Sequence, residues 1–288
     1  MTISQFRISA FGDEVADDLA SQLSLLSDLK IGYLELRGVW GKNVLDLTDE
    51  ETESVKKMCD EKQISVSSIG SPIGKSSLAD PEEDDRKKLT RIMQIAQSLG
   101  TDQIRVFSYY PPDTGTSVEL DQYVEPVVER LKSLAELAAS QDCVLLLENE
   151  KGIVGDTIER CAALLSGVAH PSLQFAWDPA NFVQVGEEHV TERGWPLLGR
   201  YLAHVHVKDV RLADGTVAVA GEGDGQIGDL LSKMLASGYQ GYLALEPHLV
   251  IAGHSSGFSG AEGMTLATQA LRKLMAEVGC LEQAPSWS

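Results

Sequence analysis

Short apolar runs alternate with amphipathic stretches along this chain, and that alternation predicts its elements. Phe6–Phe11, Ile31–Arg37, Ile64–Gly70 and Gln103–Ser108 have the length and side-chain types of strands. Cys143–Glu150 (CVLLLENE), Ser172–Trp177 (SLQFAW), Arg200–Asp209 (RYLAHVHVKD) and Gly241–His248 (GYLALEPH) continue the series. An unbroken run such as Cys143–Leu147 has no polar face, so it reads as a strand buried on both sides of a parallel sheet. Between the runs, apolar residues recur at helical spacing. Examples are Leu19, Leu23, Leu26 and Leu29, then Leu89, Ile92, Met93, Ala96 and Leu99, then Val124, Val127, Leu131, Leu134 and Leu137. Later helices are predicted near Glu188–Gly199, Ile227–Ala236 and Ala261–Val278.

Local signals sharpen some boundaries. Thr48 and Glu51 form a capping box, and Asp156 with Glu159 offers a second start of that kind. Asp80 reads as a cap with Pro81 at the first helical position and acids in the first turn. Gly100 stops that helix. Eight strands, each followed by a helix, predict an α/β fold that closes as a (β/α)8 barrel rather than an open doubly wound sheet.

Length agrees with this: 288 residues suit one such barrel, with no linker or low-complexity segment, so a single domain over 1–288 is expected. No run approaches the roughly 18 apolar residues of a membrane span. The first seven residues lack the basic and apolar regions of a signal peptide. The four cysteines have no CxxC spacing, and Cys143 falls in an apolar strand. A reduced, cytoplasmic protein is expected, with homo-oligomerisation left open. The formal net charge of −19 opposes nucleic acid as a partner and leaves a small molecule.

The chemistry lies at the strand ends. Glu148, Asp178, His206 and Glu246 each close a strand, at spacings of 30, 28 and 40 residues, one strand–helix unit apart. A carboxylate is costly inside a buried strand, so these groups are placed at its C-terminal end, the rim that carries the chemistry in barrel enzymes. Three carboxylates and one imidazole suit a single divalent ion, Mn²⁺ by preference, with Mg²⁺, Co²⁺ or Zn²⁺ as alternatives. His204 and His206 point to the same side of their strand, so periodicity does not choose between them. His248 and His254 read as surface histidines. Lys208 stands beside His206, and Glu35, Arg105 and Arg211 follow strands at the same rim, as candidates for binding substrate hydroxyl or carboxylate groups. The glycine-rich Val217–Gly225 precedes a short helix but matches no phosphate-binding pattern, so a structural turn is expected, with a substrate-contacting lid as the alternative.

The segments Leu146–Glu150, FAWDPANF (Phe175–Phe182), HVHVKDV (His204–Val210) and LEPH (Leu245–His248) resemble those of the xylose isomerase-like TIM barrel superfamily of sugar phosphate isomerases and epimerases. It includes keto-sugar 3-epimerases, hydroxypyruvate isomerase, inosose dehydratase and 3-dehydroshikimate dehydratase. The resemblance implies that Glu148, Asp178, His206 and Glu246 bind one divalent ion, and selects the second histidine of HVH. It also implies that Glu148 and Glu246 move a proton α to a carbonyl, through an enediolate. Where the epimerases often carry a histidine, this chain has Asn181, a candidate substrate contact. The expected function is a metal-dependent isomerase or epimerase of a keto-sugar or related polyol. A dehydratase starting from the same enediolate is the alternative, and a non-catalytic metal- or sugar-binding domain is disfavoured by the intact ligand set. Endonuclease IV shares the fold but uses three zinc ions and more histidines; six histidines and the negative charge argue against that function.

Overall fold

The computed structural model describes residues 5–112, 119–249, 259–283 and 285. Eight parallel strands close a barrel: β1 (Gln5–Phe11), β2 (Tyr33–Leu36), β3 (Ser65–Ile69), β4 (Gln103–Val106), β5 (Val144–Glu148), β6 (Leu173–Trp177), β7 (Leu202–Val207) and β8 (Tyr242–Leu245). Each pairs with its neighbours in sequence, and β8 returns to β1 with Arg7 opposite Tyr242. Closure removes the open edges that a flat sheet would leave unpaired. The helices are α1 (Leu19–Asp28), α2 (Asp49–Glu61), α3 (Glu82–Leu99), α4 (Val124–Ala139), α5 (Ile158–Val168), α6 (Pro179–Gln184), α7 (Val190–Leu198), α8 (Ile227–Ser237) and α9 (Gly260–Val278). Among the described residues, both α6 and α7 follow β6, and every other barrel strand is followed by one α-helix.

Alternation along each strand sorts side chains between two environments. Leu145, Leu147, Phe175, Trp177, Val205, Val207, Leu243 and Leu245 join one apolar core with helix residues such as Leu131, Leu164, Leu230 and Leu271. Each such leucine contributes about 1.5–3 kcal/mol when fully withdrawn from water, which clamps the helices on the sheet. The other face of the strands lines the lumen, and it is polar. Ser9 of β1 meets Ser67 of β3 at 2.6 Å, and Glu35 of β2 reaches across to His204 of β7 at 2.7 Å.

The Thr48–Glu51 capping box forms as the sequence predicts. Two other starts differ. Helix α3 begins at Glu82, with Pro81 at the cap position, because the Asp80 carboxylate accepts the Ser77 N–H instead. Helix α5 is capped by Thr157, which accepts the Arg160 N–H, while Asp156 pairs with the Arg160 side chain. Gly100 ends α3 in the left-handed conformation, as expected. Strands β3 and β4 are joined by a single register pair, Ile69 with Ile104. The Ser71–Lys75 loop continues that seam: Phe107 N–H donates to Ile73 O and Tyr109 N–H to Gly74 O. Gly74, at φ +83°, passes so close to Phe107 that a Cβ would strike its carbonyl.

Candidate metal centre

The alternation that sends Leu147, Trp177, Val207 and Leu245 to the core turns Glu148, Asp178, His206 and Glu246 inward. One ligand-type atom from each of these four residues lies within 4.8 Å of the others, and all four are buried. Glu148 Oε2, Asp178 Oδ2, His206 Nδ1 and Glu246 Oε2 are buried atoms without a hydrogen bond. Buried polar atoms ordinarily have partners. Four ligand-type atoms turned to one point, met by charged neighbours but by no hydrogen bond, fit a divalent cation, and three oxygens with one nitrogen make a hard donor set.

Three cations press on these carboxylates. Lys208 Nζ lies 2.6 Å from Asp178 Oδ2 and 3.6 Å from Glu246 Oε2. Arg105 Nη1 is 3.3 Å from Glu148 Oε2. Arg37 Nη1 pairs with Glu246 Oε1, while its Nε and Nη2 pair with Asp13 and Glu14 at 2.7 and 3.0 Å. His248 Nε2 joins the same group, 3.1 Å from Glu14 and 3.3 Å from Glu246. His248 is therefore not a free surface histidine as the sequence suggests; it is tied to a buried carboxylate. His254 lies outside the described residues.

The charges set the protonation. Burial acts to raise Glu246, but Lys208, His248 and Arg37 outweigh it and hold it well below the usual carboxylate range. Burial likewise opposes His206 and Arg105 at Glu148, and the two cations prevail. Asp178 goes the other way: burial, reinforced by Glu148 and Glu246, pushes it up to about 6 against the pull of Lys208. His206 is raised to about 10, because Glu148 and Glu35 override burial.

A frame of amides holds the ligand-type groups. Asn149 Nδ2–H donates to Asp178 O, and Asp178 N–H donates to Asn149 Oδ1, which locks the ends of β5 and β6 together. Asp178 Oδ1 caps α6 by accepting the Asn181 N–H. Asn181 Nδ2–H donates to Asn149 O at 2.9 Å and lies 3.5 Å from Glu148 Oε1. Below the cluster, Glu35 bridges both histidines of HVH, to His204 Nε2 at 2.7 Å and His206 Nε2 at 3.4 Å. That leaves His206 Nδ1 facing Glu148 at 3.0 Å, so only His206 of the pair faces the four-residue cluster.

The predicted site residues thus fall into three places. Glu148, Asp178, His206, Glu246 and Lys208 converge. Arg105, Asn181 and Glu35 are buried against members of that group, Glu35 with no exposed surface. Arg211 stands apart, exposed at the start of the turn in a short hairpin that pairs Asp209–Val210 with Val217–Ala218. Sequence reasoning missed Arg37, Glu14 and Asn149. Asn149 sits inside the ENE triplet, but nothing there ranks it above its neighbours. The glycine-rich loop is indeed a turn. Asp209 accepts N–H groups from Gly221, Gly223 and Gly225 and from Val210. The anion in this cradle is the chain's own carboxylate.

Comparison with known proteins sets these features in a family. The model of the xylose isomerase-like TIM barrel family matches residues 23–274. A 3-dehydroshikimate dehydratase from Bacillus anthracis is 25% identical over 181 residues, 63% of this chain and 62% of that protein, so the match spans less than two thirds of the relative. Among solved structures, a D-psicose 3-epimerase with D-tagatose from Clostridium cellulolyticum H10 superposes with a TM-score of 0.74 at 16% identity, over 96% of this chain and all of that one. A xylose isomerase-like TIM barrel protein from Mycobacterium smegmatis, in complex with magnesium, gives 0.65 at 18% identity, over 89% of each chain. At such identities the superpositions carry the fold alone. With the family model spanning most of the chain and the barrel closed as described, this chain belongs to the xylose isomerase-like TIM barrel family.

Proposed function

We propose that the chain is a divalent-metal-dependent isomerase or epimerase of a keto-sugar or related polyol. One observation supports this most. Glu148 and Glu246, three strands apart around the barrel, both turn a buried oxygen without a hydrogen bond into the same small volume. Glu148, Asp178, His206 and Glu246 would hold the ion, with Mn²⁺ or Mg²⁺ suiting the donor set. When bound, the ion supplies Lewis acidity to a carbonyl and its neighbouring hydroxyl.

The protein's own groups do the rest. Glu148 and Glu246 take up and return the proton α to the carbonyl from two sides of that carbon. Lys208 presents an ammonium to the oxygen that gains charge as the enediolate forms. Near-complete burial of these groups excludes water and strengthens each of those interactions. Glu35, Arg105 and Asn181 hold the reacting groups in place. Arg211 is left to the outer part of a bound substrate.

A second reading is dehydration, favoured by the sequence match to a 3-dehydroshikimate dehydratase. Loss of water β to a keto group begins with the same proton abstraction. A panel of keto-sugars, inososes and 3-dehydroshikimate incubated in D₂O with Mn²⁺ tests both. Deuterium incorporated α to the carbonyl with an epimeric product supports the first reading, and a new ultraviolet chromophore supports the second. No exchange on any member, with metal loading verified, would overturn both.

A further inference from the structure

We infer that Arg37 and Arg105 are paired positioning residues, each assigned to one of the two glutamates and both braced on Phe11. The inference deepens the two-glutamate reading above and rests on it for its catalytic arm. Arg37 reaches Glu246 but not Glu148, and Arg105 reaches Glu148 but not Glu246, among the ion pairs of the described residues. Each guanidinium is fixed from behind. Arg37 is held by Asp13 and Glu14. Arg105 Nη2–H donates to Gly70 O at 3.2 Å and to Ser71 O at 3.4 Å. The two guanidiniums then meet the same aromatic ring: Arg37 Cζ lies 4.5 Å and Arg105 Cζ 5.3 Å from the centre of Phe11, with Arg105 also over Phe107 at 4.8 Å.

Phe11 is buried at the end of β1, and its ring also meets the edge of the His206 imidazole at 5.1 Å between centroids. A cation on an aromatic face gains more when both are withdrawn from water. A planar guanidinium stacked this way keeps its donors in one plane, which fixes the direction in which they point. Room for the arrangement comes from Gly70, where a Cβ would meet Arg37 Cβ at 2.9 Å and the Phe11 ring at 3.1 Å. One ring therefore touches three groups of the centre, and through two of them it orients both proposed proton carriers.

Double-mutant cycles test the pairing without relying on activity. Mn²⁺ affinity and melting temperature would be measured for Arg37→Met, Arg105→Met, Glu246→Gln, Glu148→Gln and the four doubles. Residues in contact couple, and separated ones add. Arg37 with Glu246 and Arg105 with Glu148 should each show coupling of about fivefold or more in affinity, and the two crossed pairs less than about twofold. Phe11→Leu should shrink both matched couplings together. Where a methionine variant does not fold, Arg37→Gln or Arg105→Gln supplies the cycle. If no Mn²⁺ binds, the metal-centre reading fails, and the cycles are read in melting temperature alone, with the same pattern expected.

Equal coupling in matched and crossed pairs, or none in either, would overturn the assignment. Matched couplings unchanged in Phe11→Leu would remove Phe11 from it. The catalytic arm uses D-fructose and D-psicose, which are epimers at C3. Arg37→Met should lose α-proton exchange from one epimer by about tenfold or more and retain it from the other, with Arg105→Met reversed. Equal loss from both epimers in both variants overturns the catalytic arm. Absence of exchange in the unmodified protein instead counts against the proposed function and leaves the affinity cycles to decide the pairing.

Discussion

Glu246 has two proposed tasks, holding an ion and moving a proton, and a single substitution separates them. Glutamine keeps the size and one carbonyl oxygen of glutamate but is no base. Glu246→Gln should retain some metal and lose about 10²–10⁴-fold in α-proton exchange, the usual contribution of a positioned base. Glu148→Gln should behave alike if two faces of the carbon are served by two residues. Full exchange by metal-loaded Glu246→Gln would leave Glu246 as a ligand only. Glu148, Asp178, His206 and Glu246 were legible as a convergent set because a buried strand tolerates a charge only where it ends. The residues packed behind them were not. Arg37 meets Glu246 across 209 positions of sequence and Glu14 meets His248 across 234, separations that no local pattern encodes. Strand periodicity treats His204 and His206 alike; the family resemblance picked out His206, and the Glu35 bridge beneath the pair gives that choice its physical reason.

Elements were easier to find than their ends. The eight strands and the helices behind them follow from apolar periodicity, yet Pro81 and Thr157, not Asp80 and Asp156, occupy the cap positions. A carboxylate with another partner three or four residues away shifts a boundary without disturbing the pattern. The glycine-rich loop shows the opposite case: its composition was plain, and its occupant was not. Three glycine N–H groups converge on Asp209 from the segment that follows the second strand of the hairpin Asp209 itself begins. A Cβ at Gly223 would strike that carboxylate, and one at Gly225 would come 2.9 Å from Pro179, next to Asp178. The loop is thus fastened against the start of α6. Asp209→Ala leaves four donors without an acceptor, of which those of Val210 and Gly225 are buried and worth about 1–3 kcal/mol each. It should destabilise the protein by roughly 3 kcal/mol or more in urea unfolding. A loss under about 1 kcal/mol would mean that the loop re-forms around water.

At the scale of the whole molecule, closure by β8 on β1 was legible from the count of strand–helix units, whereas the register shifts at Leu34/Glu35 and Phe175/Ala176 were not. Those shifts lie in strands that end close to the cluster, where backbone geometry is set by what the side chains must reach. The apolar layer between sheet and helices also takes in the cysteines. All four are free and buried, with Cys59 pushed up to about 12 and Cys161 well above its ordinary value by burial. A raised thiol pKa means less thiolate at a given pH. At pH 8 the native protein should react slowly with Ellman's reagent, and four thiols should appear on unfolding; rapid native labelling would contradict this packing.

The barrel also pulls together charges that oppose its own closure. Glu35, Glu148, Asp178 and Glu246 are buried at one end of the lumen with only part of their charge met by Lys208, Arg105 and Arg37. An ion bound there exists only in the folded state, so it adds stability by mass action, about 2.7 kcal/mol when free ion stands at 100 times its Kd. For a chain of this length each kcal/mol moves the melting temperature by about 2–4 °C. Chelation of metal-loaded protein should therefore lower the melting temperature by roughly 5 °C or more. Asp178→Ala removes one ligand-type oxygen and the nearer of two carboxylate partners of Lys208. It also removes the cap of α6, so its baseline stability falls whether or not metal is present. The informative quantity is the difference between loaded and chelated protein. That difference should vanish in Asp178→Ala and persist in Arg211→Ala, whose exposed position on the hairpin lies outside the cluster. An equal EDTA effect in Asp178→Ala and the parent chain would place the stabilising ion somewhere other than the four strand ends.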